Sequence, residues 1–324
     1  MVCAYWIICI SVLLGFHSHS QLVKRDLGPR FNRILSMLPK AGPTSRSINV
    51  ADIGCDHALL SAHIASMHHV NCVYACDISE KAIYNAKQNL QSYPSRIKEK
   101  VHLLVGDGLH PLLSHSSSKI IQEEQIDVLI LSGMGVRSFF DILCVSSTTD
   151  PSQKIDYWNR MQGVDTKVLD SLGVNRIICQ PWPPNFLPLQ AFIGTVLSSK
   201  TSSRRGSNNN EGSDSGWRLE CQAVDKVAGC HYITSCFVRT PNDSPNMENI
   251  DNSVVVTTPG TFCLEMNPLY YNSITGQLEE GESACWQDYL NKQLVSLERK
   301  KQGINGNSEK YDIDNIIKLV KVSL

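Results

Sequence analysis

The sequence predicts an α/β fold of the doubly wound kind, a mainly parallel sheet with helices on both faces. Three observations predict it. Short apolar runs alternate with amphipathic stretches from residue 48 onward. Each of the first four apolar runs ends in Gly or Asp, the residues that shape ligand-binding turns at the carboxyl edge of such a sheet. The chain is 324 residues long, 42% apolar and 19% charged, enough for a sizeable core and too apolar for wholesale disorder.

The elements follow in order. Phe31, Ile34, Leu35 and Leu38 fall at helical spacing and predict a first helix. Ile48 to Ile53 reads as a short buried strand ending at Gly54, and Leu59 to Met67 as a helix. Cys72 to Cys76 is a second strand, ending at Asp77. Glu80 to Leu90 is a helix with Ser79 as its N-cap and an acid in its first turn. Val101 to Val105 is the third strand, ending at Gly106-Asp107-Gly108, and Ile126 to Leu131 the fourth, ending at Ser132-Gly133-Met134-Gly135. A helix from Lys167 to Leu172, closed by Gly173, leads to a fifth strand, Arg176 to Cys179. Strand–helix alternation of this length implies right-handed crossovers.

Residues 198–216 are rich in Ser, Gly and Asn and read as a disordered insertion in a main domain spanning 22–240. Arg218 to Val224 and His231 to Val238 form a hairpin with Ala228-Gly229 at its turn. In the C-terminal part, 241–324, Trp286, Leu290, Leu294 and Leu297 mark one amphipathic helix. Ile313, Ile316, Ile317 and Val320 mark a second, which together suggest a helical hairpin.

Twelve cysteines occur, several inside apolar runs and none in a CxxC pair, so they read as buried free thiols and not as a zinc ribbon. The net charge of −1 argues mildly against a nucleic-acid partner without excluding a local basic patch, of which Arg299-Lys300-Lys301 is the clearest. Residues 1–21 contain the uncharged apolar run Tyr5 to Phe16, too short for a membrane span and similar to a signal-peptide core. They predict a targeting segment, an organelle of plastid type as destination with the cytoplasm as alternative, and no stable membrane association after targeting. The basic stretch after it is a second address or the first helix of the fold.

The turn chemistry points to a ligand. The first turn reads Asp52-Ile53-Gly54-Cys55-Asp56-His57, where Gly54 allows close backbone approach and the two acids supply carboxylates. Asp77 after the second strand can accept both hydroxyls of a ribose. Aspartate and histidine stand near the positions where a dinucleotide-binding turn has its later glycines, and a pyrophosphate would be repelled there. A cationic, phosphate-free ligand would not be: S-adenosyl-L-methionine carries a sulfonium, an ammonium and a ribose. Asp107 is placed to reach an adenine amine, and the Gly133-Met134 turn to lie under a methyl group. No metal is predicted. His57 as a metal ligand has no partner at helical spacing, since His63 falls off its face, so a hydrogen-bonding role is favoured. His68-His69 reads as a solvated helix end, and Ser61 lacks a nucleophile elbow.

The segments V-A-D-I-G-C-D-H-A at 50–58, G-D-G-L at 106–109 and D-V-L-I-L-S-G-M-G at 127–135 resemble the bacterial-type tRNA (adenine(22)-N1)-methyltransferases. The likeness runs through Arg30, Leu38-Pro39-Lys40, Cys179-Gln180-Pro181, Cys230-His231-Tyr232-Ile233 and Asn267-Pro268-Leu269-Tyr270. It implies a Rossmann-like class I methyltransferase sheet with a C-terminal helical hairpin, S-adenosyl-L-methionine as cofactor, and methylation of N1 of an adenine in the D-arm of tRNA. By matching positions, Asp52, Gly54, Asp77, Ile78, Asp107, Gly108, Gly133 and Met134 would line the cofactor. Asp56 and His57 would lie nearest the reaction, with Asp56 the candidate to stabilise charge or take a proton. Three positions depart from the pattern: Val136 replaces a glycine and is expected to crowd the turn, Trp182 replaces an asparagine after Gln-Pro, and Asp77 replaces a glutamate. The alternatives are a methyltransferase for a small molecule or protein, and a catalytically silent tRNA-binding homologue.

Overall fold

A computed structural model of the chain describes residues 27–40, 42, 46–115, 125–146, 161–184, 186–197, 216–240 and 280–303, with 314, 317, 318, 320 and 321. The signal-like segment, nearly all of the 198–216 insertion, the stretch 241–279 with Asn267 to Tyr270, and Ile313 and Ile316 lie outside the described residues.

The strands alternate their side chains between two cores. Ala51 and Ile53 face one and Val50 the other; Leu129 and Leu131 face the first, Val128 and Ile130 the second. This period of two is hidden in the sequence because both faces are covered and apolar residues stand at successive positions facing opposite ways. The elements are α1 (Pro29–Ser36), β1 (Ile48–Ile53), α2 (Leu59–Ala65), β2 (Val70–Asp77), α3 (Glu80–Leu90), α4 (Ser95–Lys98), β3 (Val101–Val105), α5 (His110–His115) and β4 (Val128–Ser132). There follow α6 (Val136–Leu143), β5 (Cys144–Ser146), β6 (Met161–Val164), α7 (Thr166–Leu172), β7 (Arg176–Gln180), α8 (Phe186–Leu197), β8 (Trp217–Val227), β9 (Cys230–Arg239) and α9 (Glu280–Gln302).

Seven strands form one sheet in the order β3-β2-β1-β4-β7-β9-β8. The five from β3 to β7 are parallel, and β9 runs antiparallel to both β7 and β8. The chain order reverses between β1 and β4, which is the switch point where an open sheet binds its ligands. The strands β5 and β6 make a separate two-stranded pair.

Local signals hold where they were predicted. Ser79 accepts a hydrogen bond from Ala82 N at 3.2 Å; Asp165, which the sequence reading did not name, caps α7 through Val168 N at 3.2 Å. Ala228 (φ 49°) and Gly229 (φ 79°) make the left-handed turn that joins β8 to β9. The helices α6 and α8 escaped the sequence reading for physical reasons. The first begins directly after the glycine turn and is only eight residues long. The second, FLPLQAFIGTVL, is apolar on nearly all sides and so shows no helical period. Phe192 of α8 packs with its ring centroid 5.3 Å from Phe140, 5.5 Å from Phe139 and 6.4 Å from Phe237.

The C-terminal helix α9 joins the same core as the sheet through Trp286, Tyr289, Leu290 and Leu297, with Ile317 and Val320 packed into it. Lys321 pairs with Glu298 at 3.2 Å, and Lys301 with Asp314, tying the last helical residues to α9. The nine described cysteines are free, and burial pushes the Cys76 and Cys144 thiols up to about 12, which keeps them inert. His69 departs from the solvated-end reading: His68 is exposed, whereas both ring nitrogens of His69 are out of water and without a hydrogen-bond partner.

Candidate active site

The carboxyl ends of five parallel strands place their turns side by side in the order Asp107, Asp77, Gly54, Gly133 and Gln180. Gly54 sits at φ 78°, and a Cβ there would come within 3.0 Å of Met134 Sδ, so the first and fourth turns touch. Gly133 sits at φ 77°, its N–H donating to Gln180 O at 2.9 Å. Two residues of the first turn, Asp56 (φ 49°) and Ala58 (φ 53°), also take the left-handed conformation; such strain collects at functional sites.

Asp77 organises this turn. Its Oδ2 accepts from Asp56 N at 3.0 Å and its Oδ1 from Ser79 N at 2.9 Å. Each carboxylate oxygen keeps a further lone pair for a ligand hydroxyl. Ile78 beside it is 69% exposed and Val105 at the end of β3 is 49% exposed, an apolar pair flanking the acids. Asp107 is exposed and Gly108 half-buried on the neighbouring turn.

Asp56 and His57 are both exposed, with His57 Nε2 3.6 Å from Asp56 Oδ1. His63 turns its Nδ1 to Leu59 O at 2.9 Å. The Asp52 side chain does not reach the rim. It is 2% exposed and accepts Ser61 Oγ at 2.5 Å. Burial raises its carboxyl from 3.8 to about 6, the Ser61 hydrogen bond opposes the rise, and the charge of Asp77 adds to it. Its place is beneath the first turn, as a support for it.

Val136 does not crowd the turn as expected. It is the first residue of α6 and its side chain is buried in the core, so β-branching there fills the interior.

On the other side of the switch point lies a set of residues the turn chemistry alone did not single out. Arg30 of α1 donates from Nε to Gln180 Oε1 at 2.9 Å and reaches Ser132 Oγ at 3.4 Å. Gln180 returns a bond to Arg30 O at 3.0 Å and donates to Thr234 Oγ1 at 2.7 Å. Trp182 N donates to Met134 O at 2.8 Å, locking the segment after β7 to the fourth turn. Tyr289 of α9 donates to Pro184 O at 2.8 Å, so the C-terminal helix braces the same segment. A three-residue group of metal-binding type, Glu220, Cys221 and Cys236, lies near the start of β7, away from these turns. Arg176 fills it, bonding Glu220 and approaching Cys236 Sγ at 2.9 Å.

A methyltransferase-domain family profile matches residues 27–156. No curated protein matches the chain in sequence. In three dimensions the chain is similar to the B. subtilis m1A22 tRNA methyltransferase TrmK, with a TM-score of 0.56, 14% identity and coverage of 92% of this chain and 98% of that one. It is similar to M. capricolum TrmK in complex with S-adenosyl-homocysteine, with a TM-score of 0.53, 16% identity and coverage of 91% and 96%. A Streptococcus pneumoniae protein in complex with S-adenosyl-L-methionine superposes with a TM-score of 0.51, 16% identity and coverage of 92% and 99%. The chain therefore has, over nearly its whole length, the Rossmann-like fold of these solved structures, and the methyltransferase-domain profile matches its first part.

Proposed function

We propose that this chain transfers a methyl group from S-adenosyl-L-methionine to N1 of an adenine in the D-arm of tRNA. The observation that carries the reading is the division of the carboxyl edge at its switch point. Acids and exposed apolar groups stand on the β1, β2 and β3 side, and a planar, cation-backed surface stands on the β4 and β7 side. The residues present fit the cofactor. Asp77 would hold the ribose, Ile78 and Val105 would flank the adenine, Asp107 would accept from its amine, and the Gly54 turn would admit the chain's backbone close to the ligand. When bound, S-adenosyl-L-methionine supplies an electrophilic methyl group.

The rest of the chemistry belongs to the chain. The touching turns of Gly54 and Met134 set a narrow floor on which acceptor and donor meet, and positioning of this kind supplies much of the acceleration in a displacement. An adenine methylated at N1 carries positive charge until a proton leaves. Asp56, exposed and beside the first turn, is the carboxylate to stabilise that charge or accept the proton. His57, within 3.6 Å, orients it. A D-arm adenine lies inside a folded RNA and must be drawn out of its stack to reach this floor.

The reading is tested by methyl transfer from labelled cofactor to unmodified tRNA, followed by nucleoside analysis. N1-methyladenosine is the expected product; label in another nucleoside or in protein refutes it. Asp56→Asn is expected to lower turnover by about 100-fold or more, the low end of what positioned acid–base groups contribute, with cofactor affinity unchanged. Normal turnover in that variant removes Asp56 from the mechanism. Residues 1–21 are read as a targeting signal to an organelle of plastid type, tested by where a fluorescent fusion of residues 1–46 accumulates.

A further inference from the structure

The reading above leaves one feature without a role. Five large apolar side chains are exposed among the described residues: Ile78, Tyr84, Val105, Trp182 and Val295. Ile78 and Val105 belong to the cofactor side of the carboxyl edge. Trp182 stands across the switch point from them, just after β7. The residue is 37% exposed although it carries the largest apolar side chain.

Trp182 is held in place by two contacts, the second of them itself buttressed. Its backbone N–H donates to Met134 O, which ties it to the fourth turn. Its indole stacks on Tyr232 with centroids 4.8 Å apart and planes inclined by 21°. Tyr232 in turn lies 5.2 Å from the guanidinium of Arg30, and that guanidinium is fixed by Gln180 and Ser132. An exposed aromatic that merely filled space would have no such scaffold. A rigid, preoriented, half-open ring beside a reaction floor is a stacking surface for a flat ligand.

We infer that the open face of Trp182 is the platform on which the target adenine stacks while Met134 and Asp56 frame its reacting edge. The inference rests on the proposed function and deepens it, since it assigns the acceptor's position to the β7 side. Two physical arguments support a purine. Every base has a π face that an indole accepts, and a purine offers the larger one. The adenine becomes cationic as its N1 is methylated, and the electron-rich indole face attracts a cation more than the neutral base. The platform therefore favours the transition state over the ground state. Arg30 adds a fixed positive charge close by, suited to the phosphate beside an extruded nucleotide.

The experiment uses the full chain and reads binding and turnover separately. Unmodified tRNA is added to the wild type and to Trp182→Phe while tryptophan emission is followed. Methyl transfer is measured for both, and for Trp182→Ala. The wild type is expected to show a quench on tRNA binding whose larger part is missing in Trp182→Phe, because stacking on a base quenches an indole. Trp182→Ala is expected to lower kcat/KM for tRNA by ~5- to 150-fold, the range alanine substitution gives for one stacked base. The loss is expected in kcat as well as KM, cofactor affinity is expected to stay within 2-fold, and Trp182→Phe is expected to recover most of the activity. A quench identical in wild type and Trp182→Phe overturns the platform, as does a Trp182→Ala enzyme with unchanged kcat/KM, or one whose only defect is a lower melting temperature, which would mean the ring is covered by another part of the chain. Should the wild type transfer no methyl group to adenine while the quench still depends on Trp182, the methylation reading fails and the stacking surface stands.

Discussion

Asp52 offers the sharpest test of how the first turn is built. Replacing it with asparagine keeps the side chain's shape and an oxygen that accepts Ser61 Oγ, but removes the titration. Burial lifts the native carboxyl from 3.8 to about 6. Between roughly pH 4 and pH 6 the folded protein therefore holds a proton that the unfolded chain has released. Stability falls as pH rises through this window and levels off above it, because a raised carboxyl pKa contributes stability that is full below the unfolded value. A rise of about two units corresponds to about 3 kcal/mol, approached at up to ~1.4 kcal/mol per pH unit. Urea unfolding of the cofactor-free protein from pH 4 to pH 8 measures it. The difference between Asp52→Asn and wild type is expected to widen in favour of the variant across pH 4–6 and then stay constant. Parallel curves would refute the claim that Asp52 is a desolvated acid beneath the turn. Comparing the slopes, not the absolute values, removes any constant packing cost of the substitution.

Other outcomes follow from the same geometry. Gly54→Ala forces a side chain into φ 78° and against Met134 Sδ at 3.0 Å. It is expected to cost about 1–2 kcal/mol of stability and to weaken cofactor binding more than tRNA binding, measured by calorimetry. His231 is buried against α9, and burial, then the charge of Lys292, lower its pKa despite Asp288 at 3.1 Å. Asp288 is itself held low, chiefly by Lys226, so a neutral His231 donates to an ionised partner. A lowered histidine pKa contributes stability that is present above about 6.5 and lost as pH falls. The melting temperature of the wild type is accordingly expected to drop more steeply below that pH than that of His231→Gln, and equal slopes would place His231 outside the titrating set.

How much of this was legible in the residues depends on the range of the interaction. The strands, the Ser79 cap, the Gly173 stop and the Ala228-Gly229 hairpin were legible because each rests on local backbone preference or apolar runs. So were the acids and glycines of the rim, since position after a strand is enough to put them at the carboxyl edge. What the sequence could not express was depth. Asp52 and Asp56 stand four positions apart in one motif, yet one is buried under Ser61 and the other open to solvent. Val136 was read as an obstruction at the turn, and only the start of α6 turned it inward.

The sequence by itself therefore determined the fold class, the edge on which ligands bind and the acidic character of the cofactor side, because those follow from apolar runs, glycine placement and charge. The tertiary structure decided the arrangement on the β7 side. Arg30, the Gln180–Trp182 segment and Tyr232 come from three separate stretches of the chain, and the Arg30–Gln180 hydrogen bond spans 150 residues. No local preference encodes such a meeting; it arises only when β7 pairs between β4 and β9 and α1 folds back across the end of the sheet.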